Sequence, residues 1–194
     1  MNALFKKYLL SAALASAVAM PVGATTITLA ADGQWNIFDV DSNYSLSGGL
    51  EWIDAQSFAG YNNDGSALDF KFTLQSAAVL TVVDGGFAGD QFQVLDNGSV
   101  LGYTSVPTNS YPTSVGANFD AALANPSFSS AEFYLSAGQH DITGLLSLSA
   151  TNNSGSAFDA TVGAVSLTAV PVPAALQLFL VGSGLLGVFA RRRA

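Results

Sequence analysis

The chain has no cysteine and a single histidine. Without thiols there is no disulfide framework, no thiolate metal site and no cysteine nucleophile. One imidazole cannot supply a zinc site built on several histidines. Positive charge is almost as scarce: 6 Lys and Arg stand against 14 Asp and Glu in 194 residues, a formal net charge of −8. That balance argues against nucleic acid as a partner, because phosphates are neutralised by Lys and Arg. Charged residues of both signs make up only 10%, against roughly 25% in ordinary soluble domains. Apolar residues reach 49% and the mean hydropathy is +0.38. Membrane-directed segments are therefore the first thing to look for.

Both ends supply one. Lys6 and Lys7 precede an apolar run from Tyr8 to Met20, which ends in Pro21-Val22-Gly23-Ala24. A basic start, an apolar centre and small residues at the close are the layout of a secretory signal peptide. Residues 1–24 are read as that signal, with cleavage after Ala24 and Ala19 as an earlier alternative. The run is shorter than the ~20 residues a membrane span needs, which argues against a retained anchor.

At the other end, Pro171-Val172-Pro173 leads into an apolar stretch from Ala174 to Ala190, followed by Arg191-Arg192-Arg193. Only Gln177 and Ser183 are polar within the stretch. As a helix it would reach roughly 26 Å, close to the ~30 Å hydrocarbon core of a bilayer. Three arginines after it favour a cytoplasmic tail and a body outside. The prolines hold the residues before the helix extended, as a protease cleft requires. Ser183 and Gly187 form a small-residue pair that lets another helix approach, or they are incidental.

This tail resembles the PEP-CTERM protein-sorting signal. The residues that carry the likeness are Val170-Pro171-Val172-Pro173-Ala174-Ala175, then Gly182-Ser183-Gly184-Leu185-Leu186-Gly187, then the three arginines. The resemblance implies an exported protein processed by exosortase, a membrane protease or transpeptidase of Gram-negative bacteria. Val170, Pro171, Val172, Pro173 and Ala174 would form the sorting and processing motif. Arg191, Arg192 and Arg193 would stop transfer. The departure is Val172, where the family's Pro-Glu-Pro has its glutamate. It leaves the exosortase subtype open and removes a charge that the protease would contact.

Between the ends lies a different composition. All 14 carboxylates fall in residues 25–170, with Lys71 as the one basic residue there, a net charge of −13. The pattern is β. Phe70, Phe72 and Leu74 alternate with polar residues and should share one sheet face. Asp90–Leu95 alternates as well, and Asp96-Asn97-Gly98 is a tight-turn signal before Ser99–Tyr103, so the two runs read as a hairpin. Further strands are expected at Thr25–Ala30, Trp35–Val40, Leu50–Ile53, Ala78–Val83, Ser129–Leu135, His140–Ala150 and Thr161–Val170. One short helix is expected at Asn118–Ala124, capped by Asn118, with Phe119, Ala122 and Leu123 on one face. The expected fold is all-β, an antiparallel β-sandwich over residues 25–169, flanked by the signal peptide and the C-terminal transmembrane helix in 170–194. Phe72–Ser105 also resembles folded regions of many PEP-CTERM proteins, which implies a jelly-roll-like exported domain and no defined activity.

The chemistry of this domain is less legible. His140 is the only base for a serine hydrolase, no Gly-x-Ser-x-Gly elbow is present, and an exposed or turn-bonded histidine is expected there. A glycosidase needs two placed carboxylates, and nothing marks a pair; Glu51 and Glu132 are the only glutamates. An enzyme is not expected. Asp39-Val40-Asp41-Ser42-Asn43 starts like a calcium loop, but Tyr44 stands where glycine is needed and Leu50 where the ligand glutamate belongs. Asp84 and Asp90 bracket a glycine-rich turn and are the candidate calcium ligands, with ordinary turn chemistry as the competing explanation. Trp35, Trp52, Tyr61, Tyr103 and Tyr111 are candidates for stacking on sugar rings. The overall expectation is a surface or matrix protein with a structural or interaction role. Its expected partners are the secretion translocon, exosortase, the membrane transiently, and exopolysaccharide. The alternatives are a calcium-dependent carbohydrate-binding module and a secreted polysaccharide hydrolase.

Overall fold

Apolar residues at every second position make sheets with one buried face, and the longest runs of this kind are the strands of the domain. The computed structural model describes residues 23–54 and 64–171. The strands in chain order are β1 (Thr25–Thr28), β2 (Asp32–Asp41), β3 (Leu68–Leu74), β4 (Ala78–Asp84), β5 (Gly86–Phe87), β6 (Gln91–Asp96), β7 (Ser99–Tyr103) and β8 (Ser114–Gly116). A short helix α1 (Phe119–Leu123) precedes β9 (Ser130–Leu135), β10 (Gly138–Leu148) and β11 (Ala160–Ala169). Expected signal residues 1–22, Tyr61, the span 174–190 and Arg191–Arg193 lie outside the described residues. Among the described residues no helix is long and apolar enough to cross a membrane.

Two sheets face each other. One has the order β1-β3-β10-β6-β7, the other β2-β11-β4-β9. Phe70, Phe72 and Leu74 of β3 are buried while Lys71 and Thr73 are exposed, as the alternation requires. They meet Phe38, Val40, Leu80, Val82, Val165 and Leu167 from the opposite sheet in one apolar core. The Asn97-Gly98 turn has positive φ at both residues, 49° and 75°, and Asp96 pairs with Ser99 across it. This is the two-residue turn whose twist matches its strands. All pairings within the two sheets are antiparallel except β1 with β3, which is parallel.

Three expectations need correction. Leu50–Ile53 is not a strand. Isolated bridges tie Glu51 to Leu145 in one sheet and Ile53 to Asp39 in the other. The segment thus crosses between the sheets and drives Trp52 into the core, 1% exposed and stacked on Phe38 with ring centroids 3.9 Å apart. The helix is capped by Asn118, whose Oδ1 accepts from the Ala121 N–H, but it buries Phe119 and Ala122 and leaves Leu123 exposed. His140 is bonded to the turn before β10, but it is not exposed. It is buried, with Nδ1 2.8 Å from Asp96 Oδ2, Nε2 3.0 Å from the Ser136 carbonyl, and its ring stacked on Phe72.

Candidate functional site

The ends of the sandwich differ. β2 finishes with Asp39 and Asp41, β4 finishes with Asp84, and β11 starts just after Asp159, so one end gathers carboxylates. A cleft of about 470 Å³ opens there, lined by Asp39, Asp41, Tyr44, Phe87, Asp90 and Phe158 among others. Asp41 Oδ1 accepts from the Asn43 N–H at 2.9 Å and turns the chain so that Tyr44 stands out, 60% exposed. The segment that fails as a calcium loop therefore builds one wall. Phe87 and Phe158 stack 5.6 Å apart as an aromatic floor, and Tyr111 packs against both rings at 5.0 and 5.2 Å.

Asp90 lines this cleft and meets Asp84 behind it. Gly89 at φ +142° folds the loop tightly; a Cβ there would come within 2.9 Å of Ala150 Cα. The Asp90 N–H donates to Asp84 Oδ2 at 3.4 Å, and the Ala150 N–H donates to Asp90 Oδ1 at 2.8 Å. Both carboxyls are buried. Burial and the neighbouring charge of Asp90 push Asp84 up to about 9, so it is protonated at neutral pH. Burial pushes Asp90 up to about 6, against hydrogen bonds from Ala150 and the Thr161 side chain. Asp84 Oδ1 has no hydrogen-bond partner, which a neutral carboxyl tolerates far better than a charged one. Among the described residues no three His, Cys, Asp or Glu side chains are grouped to hold a metal ion. The glycine-rich turn brings the two residues together through the Asp90 N–H, and the proton held by Asp84 relieves the repulsion between the carboxyls.

His140 offers no nucleophile a base. Both ring nitrogens are occupied, one by a carboxylate and one by a main-chain carbonyl. Of the aromatic candidates, Trp52 is core, Trp35 packs on Phe119 and donates from Nε1 to Asp120 Oδ1 at 2.8 Å, and Tyr103 is exposed on β7. Among the described candidates, only Tyr111 packs against the aromatic floor. Tyr44, Phe87 and Phe158 were not singled out from the sequence. Each sits beside an acid-rich or glycine-rich turn, which is the signal that points to them.

Of the sorting residues, Val170 and Pro171 are described; Val172, Pro173 and Ala174 lie outside. β11 is a central strand, Ala169 pairs with Ala78, and the Val170 N–H donates to the Ala77 carbonyl at 3.1 Å. Ala24, the expected signal cleavage residue, is exposed directly before β1. Residues 169–193 match the PEP-CTERM protein-sorting motif. The motif implies an exported, cell-surface protein processed by exosortase.

No curated protein matches the chain in sequence. Among solved structures, the domain is similar to the pre-peptidase C-terminal domain of collagenase from Bacillus anthracis. The identity is 10% and the TM-score 0.36, over 77% of this chain and 98% of that one. It is also similar to a cycloisomaltooligosaccharide glucanotransferase from Paenibacillus sp., at 13% identity and a TM-score of 0.33. That match covers 75% of this chain and 20% of that one.

Proposed function

We propose that this protein is a non-catalytic component of the cell surface or extracellular matrix, and that its acidic cleft meets exopolysaccharide. Residues 1–24 direct export, and residues 174–190 hold the precursor in the membrane until the segment 170–174 is processed. The strand order β2-β11-β4-β9 against β3-β10-β6-β7 supports a jelly roll of two Greek keys with β1 added at an edge. The observation that carries the binding role is the cleft itself. Exposed Tyr44 and the Phe87–Phe158 floor offer apolar faces for sugar rings, and Asp41 offers an acceptor for hydroxyls. Negative walls favour neutral or amino-sugar units over acidic ones.

An array of neutral, amino-sugar and acidic glycans, probed with the mature domain, tests this. Binding should fall at least tenfold in Tyr44→Ala and in Asp41→Asn, with the acidic glycans silent. No binding, or binding indifferent to both changes, would overturn the role. Running the array in millimolar calcium and again in chelator separates the alternative reading of a calcium-dependent module. Its support is the unpartnered Asp84 Oδ1, and it requires binding to vanish in chelator. Degradation of a bound glycan, lost in Asp90→Asn, would instead favour a hydrolase.

A further inference from the structure

We infer that the precursor stands on the lipid surface on one particular end of the sandwich, the nearly neutral end from which β11 exits, with the acidic cleft held outward. The inference rests on reading residues 174–190 as a membrane span. Three residues, Pro171 to Pro173, separate Val170 from that span. Fully extended they reach roughly 10 Å, and Val170 itself is fixed to the Ala77 carbonyl at the mouth of the sheet. The end that carries Val170 therefore lies against the headgroups.

That end is formed by the exposed segments 30–33, 75–77, 136–138 and 169–171. Asp32 is the only carboxylate in them, although the domain carries 14. The nearby Asp96 is hydrogen-bonded to His140, and Asp141 faces the Lys71 ammonium at 3.5 Å. The opposite end holds Asp39, Asp41, Asp90 and Asp159. β11 has ten residues, so the two ends stand roughly 33 Å apart. That is several screening lengths at physiological salt, where the Debye length is ~8 Å. Anionic headgroups would repel the acidic end at contact and leave it nearly unaffected at that distance. The tether and the charge distribution thus select the same orientation.

The absence of cysteine makes a direct test clean. Ser76→Cys at the near end and Asn153→Cys in the loop before β11 each give one attachment point for a fluorophore, and both positions are exposed. The full-length precursor is reconstituted in phosphatidylethanolamine–phosphatidylglycerol vesicles carrying a headgroup quencher. The label at residue 76 should be quenched at least threefold more than the label at 153. Equal quenching with the protein still floating with the vesicles would overturn the orientation and leave the anchor standing. Failure to float would overturn the anchor and the orientation together. Shielding of residue 76 that arises only after exosortase is added would also overturn it, because the contact would then be with the protease and not with lipid.

Discussion

Adding one methyl group at Gly144 should cost the domain about 3 kcal/mol, the upper end of ordinary overpacking. A Cβ built on Gly144 would lie 2.2 Å from Trp52 Cε2, and one on Gly163 would lie 2.3 Å from Phe38 Cζ. The two glycines stand on β10 and β11, one in each sheet, and make room for the stacked Phe38–Trp52 pair between them. Phe70 and Phe92 close on the pair at near right angles. Trp52→Ala should cost about 3–5 kcal/mol through the cavity it leaves. The decisive comparison is the double variant. Removing the indole gives the methyl group space, so Gly144→Ala should add little once Trp52 is alanine. Urea unfolding of the four proteins measures this coupling. Strictly additive costs would show that Gly144 matters for something other than the ring above it.

The second large effect concerns charge. Asp84→Asn should stabilise the domain at neutral and alkaline pH. In the folded state Asp84 sits above its ordinary value, at about 9, so the native state holds the proton more tightly than the unfolded chain does. The contribution of Asp84 to stability is then fully present below about 4 and is lost as pH rises toward 9. Asp90, raised to about 6, adds to the same trend between about 4 and 6. At pH 7 the unfolded chain gains roughly 2–4 kcal/mol by releasing the Asp84 proton. An amide cannot ionise, so the variant should flatten the slope and raise the melting temperature at pH 7 by roughly 5–15 °C. Melting curves at pH 5, 7 and 9 check it. A wild-type domain that grows more stable with pH, or a variant less stable at pH 9, would contradict the account of the buried pair.

What was legible in the sequence had local causes. The alternation at Phe70–Leu74 and the Asn97-Gly98 turn fix their own geometry within a few residues, and so does the cap at Asn118. The tail was legible because a proline pair, an apolar run and an arginine cluster act in linear order. Trp52 was misread because Leu50–Ile53 is apolar in the way a strand is, and only the two sheets together reveal a crossing segment. The cleft was missed for the same reason. Tyr44, Phe87 and Phe158 come from three separate segments, the loop after β2, strand β5 and the loop before β11, and no spacing connects them. Asp84 and Asp90 were legible as neighbours because the glycines between them let the turn fold back. The proton held by Asp84 was not foreseen, since it follows from burial and from the neighbouring charge of Asp90.

The central claim is that two removable segments flank a folded β domain, and the intact mass of the mature protein tests it most directly. The mature chain should begin at Thr25, the first residue of β1, and end within Pro171–Ala174, after the Val170 hydrogen bond that completes β11. Deleting Arg191–Arg193 should leave uncleaved or misoriented precursor, because the stop-transfer charge is gone. A mature protein that still carries residues 174–193, or one of normal mass and yield without the arginines, would contradict it.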